Sequence, residues 1–436
     1  MATAPRPADL TATAARRAIA EGRLTAQALV QDCLDRIAER DPKIRAWTRL
    51  DREGALAAAR AADARPADAA PTEGPLHGLP IGIKDIFDVA GMPAEYGSPI
   101  HRGRQSSAEA TPVTLARRAG AIVLGKTVTT EFACFHAGPT RNPADPEHTP
   151  GGSSSGSAAA VADGHVPLAY GSQTVGSVIR PAAFCGVVGM KVTRGAVALD
   201  GTMALSPSVD SPGAFARSVR DLDLLLDAWA LDTAAAAPAR PRFGWCRTPL
   251  WDLVEPDYRE RLDAMCRRLA AAGAEIVPLD LPAEFQPLRE VHRAIFTVEA
   301  LATRAEEWAH HRAMLSPKLR DLLAEAEARP PEELAAAQAT AAGLRQRFDE
   351  LTRGLDAVLA PSSPGAAPRG LDYTGDPSLN GMWTLLHGPL LHVPEPQPKG
   401  RLPLGIQLVG RRGDDRRLIA LGAWVEAVFR RTTAAP

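Results

Sequence analysis

Disulfide chemistry, bulk charge and long apolar runs are all missing from this chain. Its five cysteines (33, 134, 185, 246 and 266) are odd in number, scattered through 436 residues and never spaced as CxxC. That excludes a disulfide framework or a cysteine-rich zinc site and reads as reduced thiols of a cytoplasmic protein. Fifty basic residues against fifty-one acidic ones leave a net charge of −1, so neither nucleic acid nor an anionic membrane would be gripped through bulk charge. No apolar run approaches the roughly 20 residues needed to span a bilayer. The opening MATAPRPADLTATAARR lacks the apolar core of a secretory signal. No fixed-period repeat occurs, which excludes a solenoid. What is present is 45 % hydrophobic and 23 % charged residues, the balance of a folded globular protein. Lysine is also scarce: only 43, 84, 126, 191, 318 and 399, with arginine supplying every other basic position. A lysine kept at a buried spot therefore invites a question, because lysine, unlike arginine, can be deprotonated near neutral pH.

Residues 1–65 read as helices. In TAQALVQDCLDRIAER, Ala26, Leu29, Val30, Cys33, Leu34 and Ile37 fall on one face at three- and four-residue steps. A second helix is expected over 51–64, then a Pro/Ala/Thr surface loop to Gly74. From 76 to 193 the texture changes to short β-like runs (PIGIKDIFDV, AIVLG, VPLAYG, FCGVVGMKV) between Gly, Ser and Pro. Helical patterns return over 218–231, 256–272 and 287–355, with EIVPL, DAVLAP and LPLGIQLVG as strands and a last helix over 415–429. Such alternation predicts an α/β fold in one domain over 1–436: a large, mixed, mostly parallel sheet covered by helices. The weakest candidate boundary is the Pro-Ala stretch 234–241.

Two motif matches fail on physical grounds. Residues 120–127, GAIVLGKT, satisfy the phosphate-loop pattern GxxxxGK[ST], but such a loop curls around an anion after a strand has ended. Here the interior Ala-Ile-Val-Leu is itself strand-like, so Lys126 reads as a strand-end lysine. Residues 152–156, GSSSG, match the GxSxG nucleophile elbow with Ser154 at its centre. That elbow must follow a buried strand, and the preceding DPEHTPG is polar and proline-bearing. The ten histidines show no metal-ligand spacing, and no metal is expected.

Three stretches carry chemistry together: Gly82-Ile83-Lys84-Asp85 at the end of a strand-like run, Gly151-Gly152-Ser153-Ser154-Ser155-Gly156-Ser157 before a helix-prone alanine run, and Gly171-Ser172-Gln173-Thr174-Val175-Gly176-Ser177 before Val-Ile-Arg-Pro. A Ser/Gly run is usually a flexible loop. This one opens a helix, and a second Gly-Ser turn ends 24 residues after Ser153. A serine hydroxyl needs a base within reach. No histidine lies in these segments, but Lys84 does, and burial would lower its pKa. Glycines beside the serines let backbone N–H groups approach a substrate carbonyl.

The set GIKD, GGSSSGSAAAVA and GSQTVGSVIRPAAFCGVVG resembles the amidase signature family most closely over 78–193, with similarity extending to LPLGIQLVGRRGDDRRL near the end. The resemblance implies a single α/β/α domain that hydrolyses carbon–nitrogen bonds with a serine–cis-serine–lysine triad and without metal or cofactor. Carried over, Ser177 is the acyl-forming nucleophile, Ser153 relays the proton from a cis peptide, and Lys84 is the base. The N–H groups of Thr174, Val175, Gly176 and Ser177 form the oxyanion hole, with Ser154 as a hydrogen-bond partner behind it. The resemblance also implies frequent homodimers, although no stretch marks an interface.

Three positions depart from many members of that family: Gln173 where Asp is common, Val175 for Gly, and Ile179 for Arg. A β-branched residue does not readily take φ > 0, so a loop needing that conformation would be strained at Val175. The Gln and V-I-R pattern is similar to the branch of malonamidase-like, ureido- and carbamate-hydrolysing enzymes. Arg180 is read in two ways, as a fork for a substrate carboxylate or carbonyl or as a structural ion pair. Cys185 reads as a small buried hydrophobe, and Asp85 as a group orienting nearby backbone. Substrate contacts are expected from Arg180, Gln173, Phe132, Cys134, Phe135 and Trp383 in the 379–391 region, whose apolar members would favour an aromatic or alkyl amide. The expected substrates are a small-molecule amide or carbamate and water. The alternatives are a carbamate or ureido hydrolase with the same triad, an amidase-like subunit of an amidotransferase complex, and an α/β-hydrolase esterase using Ser154.

Overall fold

Local sequence rules set the first elements. A computed structural model describes residues 6–64, 74–106, 108–134, 136–231, 236–398 and 400–432. Helix Ala26–Ile44 begins at Thr25, whose side chain accepts from the Ala28 N–H, and it buries Leu29, Val30, Cys33, Leu34 and Ile37 on the predicted face. Helix Arg52–Asp63 is capped in the same way by Asp51. The predicted loop over 65–73, Phe135 and part of the 234–241 boundary lie outside the described residues.

Eleven strands form one sheet: β1 (Trp47–Leu50), β2 (Pro80–Lys84), β3 (Ile122–Thr127), β4 (Leu168–Gln173), β5 (Val188–Lys191), β6 (Ser211–Ala216), β7 (Arg242–Trp245), β8 (Glu275–Pro278), β9 (Ala357–Ala360), β10 (Leu390–Glu395) and β11 (Leu404–Val409). Their order is β1-β3-β2-β4-β6-β5-β10-β11-β9-β7-β8. The sheet is mixed, as expected, but parallel pairing is not its majority. The four parallel pairs are β2–β3, β2–β4, β7–β8 and β7–β9, and the six others are antiparallel. Parallel pairs occur where a helix returns the chain, as Thr111–Arg118 does between β2 and β3 and Pro256–Ala271 between β7 and β8. Among the described residues no helix separates β5 from β6 or β10 from β11.

Strands β2, β3 and β4 are buried along their whole length, as expected of strands covered on both faces. They run parallel, so their last residues, Lys84, Thr127 and Gln173, share one edge of the sheet. That edge is where open α/β sheets place ligands. The GAIVLGKT motif is confirmed as strand, because β3 includes Lys126 and Thr127. Among the described residues, all five cysteines are buried, and no helix is long and apolar enough to cross a membrane.

Helix Ser155–Ala162 follows the Ser/Gly run and packs against β2, β3 and β4. Gly156 permits this: a Cβ there would lie 2.3 Å from the Ala46 carbonyl oxygen and 2.4 Å from the Val128 nitrogen. Gly156→Ala is therefore expected to destabilise the fold by about 1–3 kcal/mol through overpacking. The check is the urea midpoint, and an unchanged value would contradict so close a contact.

Candidate active site

Among the described residues three lysines are fully buried, and their partners distinguish them. Lys126 Nζ is 2.6 Å from the Asp85 carboxylate and also donates to the Pro93 carbonyl. Lys191 Nζ donates to the carbonyls of Val192 and Gly388. Among the described residues both hydrogen-bond partners of Lys191 are carbonyls, which have no proton to give up. Lys84 Nζ instead sits 2.7 Å from Ser153 Oγ and 2.9 Å from Ser172 Oγ, two groups able to give up a proton as well as accept one. Burial lowers the pKa of Lys84 to about 7, partly opposed by the Asp210 charge. A neutral amine so placed has a lone pair for a serine proton.

The Ser/Gly run supplies the other side. Gly151 has φ +82°, and a Cβ there would lie 2.8 Å from the Pro181 Cα, so only glycine suits the turn. The Gly152–Ser153 peptide is cis, as the resemblance implied. Ser154 is fully buried; its Oγ donates to the Ser172 carbonyl and accepts from the Ser172 N–H. This pairing with β4 backbone removes Ser154 from any exposed elbow and leaves the esterase reading without geometry.

Ser177 stands between β4 and helix Ile179–Cys185. It lines one small cavity with Ser153, Cys134, Thr174, Val175 and Arg180. No direct hydrogen bond joins Ser153 to Ser177 among the described residues, and such contacts commonly tighten only around substrate. Nor do the N–H groups of Val175, Gly176 and Ser177 meet an acceptor there. Val175 does not have positive φ, so the strain foreseen for a β-branched residue does not arise.

The family model described as Amidase matches residues 28–419. The chain belongs to the amidase family. A glutamyl-tRNA(Gln) amidotransferase subunit of Azoarcus sp. (strain BH72) is 43 % identical over 295 residues, which is 61 % of this chain and 60 % of that protein. A 2-amino-5-chloromuconic acid deaminase of Comamonas testosteroni is 33 % identical over 435 residues, 93 % of each chain. A crystal structure of an amidase superposes with a TM-score of 0.88 at 32 % identity, covering 96 % of this chain and all of that one.

Within this amidase fold, several expected substrate contacts have other places. Phe132 is fully buried between the His101 ring and the Arg304 guanidinium. Trp383 is fully buried in the core against Phe348. Gln173 spends its side chain on the protein, with Oε1 accepting from the N–H groups of Val178 and Ile179 and Nε2 donating to Thr384 Oγ1. None of these three lines the small cavity, as befits apolar bulk and a satisfied amide in a core. Cys134 does line it. Cys185 is buried with its thiol pKa pushed up by burial, and Asp85 orients backbone through the Glu95 N–H.

Arg180 lines the cavity too, but its fork grips carbonyls: Nη2 donates to the Gly152 carbonyl at 2.6 Å and Nη1 to the Gly375 carbonyl at 2.8 Å. It ties the cis-peptide loop to the 374–376 loop rather than forming the structural ion pair considered from sequence. Burial lowers its pKa to about 10, which leaves it charged at neutral pH.

Contacts that sequence reasoning passed over complete the surroundings. Thr174 Oγ1 donates to Asp210, which also accepts from the N–H groups of Leu205 and Ser206. Burial raises Asp210 to about 6. An apolar lobe of about 300 Å³, lined by Ile86, Val197, Leu199 and Met203, meets the small cavity at Ala133, Thr174 and Leu205. A polar lobe of about 240 Å³, lined by Arg289, His292, Tyr373 and Asp376, meets it at Val175, Phe296 and Pro377. Among the described residues no cluster of His, Cys, Asp or Glu is placed to hold a metal ion.

Arg180→Ala leaves two buried carbonyls without their charged donor, so a loss of about 3 kcal/mol or more is expected in urea unfolding. Wild-type stability with only a raised Michaelis constant would instead mark Arg180 as a substrate fork.

Proposed function

We propose that this amidase-family chain hydrolyses the C–N bond of a small-molecule amide through an acyl-Ser177 intermediate. The observation that carries this reading is the Lys84 amine, excluded from water, held against the Ser153 hydroxyl and next to the cavity that Ser177 lines.

In this reading Lys84 takes the Ser153 proton while Ser153 takes that of Ser177, whose oxygen attacks the substrate carbonyl. The developing oxyanion lies against the unengaged N–H groups of Val175, Gly176 and Ser177. The proton returns through Ser153 to the leaving nitrogen, the C–N bond breaks, and water then releases the acyl group by the same relay in reverse. The apolar lobe suits an alkyl or aryl portion of the substrate. A carbamate would use the same groups and release carbon dioxide with the amine and alcohol.

A second reading, an amidase-like subunit of an amidotransferase complex, draws on the similarity to the Azoarcus protein. Copurification of partner subunits would favour it. Gln173 weighs against it, as a departure from the common family pattern.

Fluorophosphonate labelling followed by peptide mapping tests the main reading. Label is expected on Ser177, with the rate falling roughly 100-fold or more in Lys84→Ala. Because the protonated amine has no lone pair, the wild-type rate should rise through about pH 7 and level off above it. Label on another serine, or a rate flat into acid, would defeat the assignment.

A further inference from the structure

Three successive carbonyls at the start of the nucleophile loop are each held by a hydrogen-bond donor of the protein. The Thr174 carbonyl accepts from His292 Nε2 at 2.9 Å, the Val175 carbonyl from Thr384 Oγ1 at 2.7 Å, and the Gly176 carbonyl from the Arg180 N–H at 3.0 Å. In a trans peptide the C=O and the following N–H point in opposite directions. Pulling these oxygens toward helices Leu288–Thr303, Ser378–Leu385 and Ile179–Cys185 therefore turns the N–H groups of Val175, Gly176 and Ser177 the other way.

We infer that His292 and Thr384 are positioning residues, which aim the loop's N–H groups at the oxyanion by holding its carbonyls, and that Gln173 locks Thr384 in that role. The inference rests on the acyl-Ser177 reading. A threonine hydroxyl has one proton. Because Gln173 Nε2 donates to Thr384 Oγ1 at 2.9 Å, that proton is left for carbonyls, with Val175 the nearer and the Asn380 carbonyl at 3.1 Å. Only an amide can serve both ends here, since Gln173 accepts from the Val178 and Ile179 N–H groups through its oxygen while donating through its nitrogen. A carboxylate at position 173 would cap the helix but could not donate. His292 is fixed in a matching way. Its partner is a carbonyl, so Nε2 must carry a proton, and burial lowers its pKa to about 4, keeping the ring neutral.

Neither residue touches the reacting atoms in this account, so loss should appear in the chemical step and not in encounter. Fluorophosphonate inactivation of the full chain separates the two as a maximal rate, kinact, and a half-saturating concentration, KI. In Thr384→Val, kinact should fall on the order of 10-fold, a fraction of what losing a whole oxyanion donor costs, with KI within about twofold. Thr384→Ser, which keeps the hydroxyl, should restore most of the rate. His292→Leu and His292→Gln form a second pair of the same design, the glutamine offering an N–H near the position of Nε2. The second pair decides the question if Thr384→Val does not fold. Wild-type kinact in a folded Thr384→Val or His292→Leu variant would overturn the inference while leaving the acyl-Ser177 reading intact. Equal losses in the conservative and non-conservative variants would also overturn it. No labelling of Ser177 in the unaltered chain would overturn both.

Discussion

The site depends on one unfavourable placement, a lysine amine taken out of water without a carboxylate to hold it. Desolvation disfavours the ammonium form, and Lys84 meets only two hydroxyls, so its pKa comes down to about 7. A contacting carboxylate would undo this by stabilising the charge. The nearest acidic influence, Asp210, is itself bound to Thr174, Leu205 and Ser206. Lys126 shows the opposite arrangement one strand away, closed against Asp85. Two buried lysines on neighbouring strands thus have different chemical capacities because of their partners.

Much of the surrounding architecture serves to hold backbone in place. Parallel β2 and β4 bring Lys84 and Ser172 to one sheet edge. Arg180 fixes the Gly152 carbonyl, Ser154 ties the Ser/Gly run to β4, and Gln173 caps helix Ile179–Cys185. Buried polar groups of this kind are costly unless each finds a partner, and here the partners are main-chain groups of the Ser/Gly run, of β4 and of the start of helix Ile179–Cys185. Pre-set N–H groups need no reorganisation when charge develops, which is where such a site gains over water. The two lobes that meet at the small cavity leave room for a substrate extending to either side of the reacting carbonyl.

Local chemistry made the strand bearing Lys84, the strand leading to the Ser177 loop and the helix after the Ser/Gly run legible in the sequence, because glycine and serine punctuate apolar runs there. Strand β6 carries no such pattern: it contains Pro212 and Gly213, and Gly213 sits in the sheet where a Cβ would lie 2.5 Å from the Met190 carbonyl oxygen. The sheet's antiparallel centre was also missed, since pairing direction depends on which distant strands meet. Ser172, Asp210, His292 and Thr384 carry no local signal, because they matter only through register and packing across many residues. Phe132 and Trp383 were misplaced for a related reason, as an aromatic near a predicted site has the same sequence signature whether it lines a cavity or fills the core.

Lysine NMR on protein labelled with 15N at the side chains offers the most direct test, and six lysines make the spectrum tractable. A side-chain signal absent from Lys84→Met should titrate near pH 7, well below the ordinary 10.5. If that signal keeps the ordinary lysine midpoint, Lys84 is an ammonium throughout the working range, and the neutral-base account of this site is wrong.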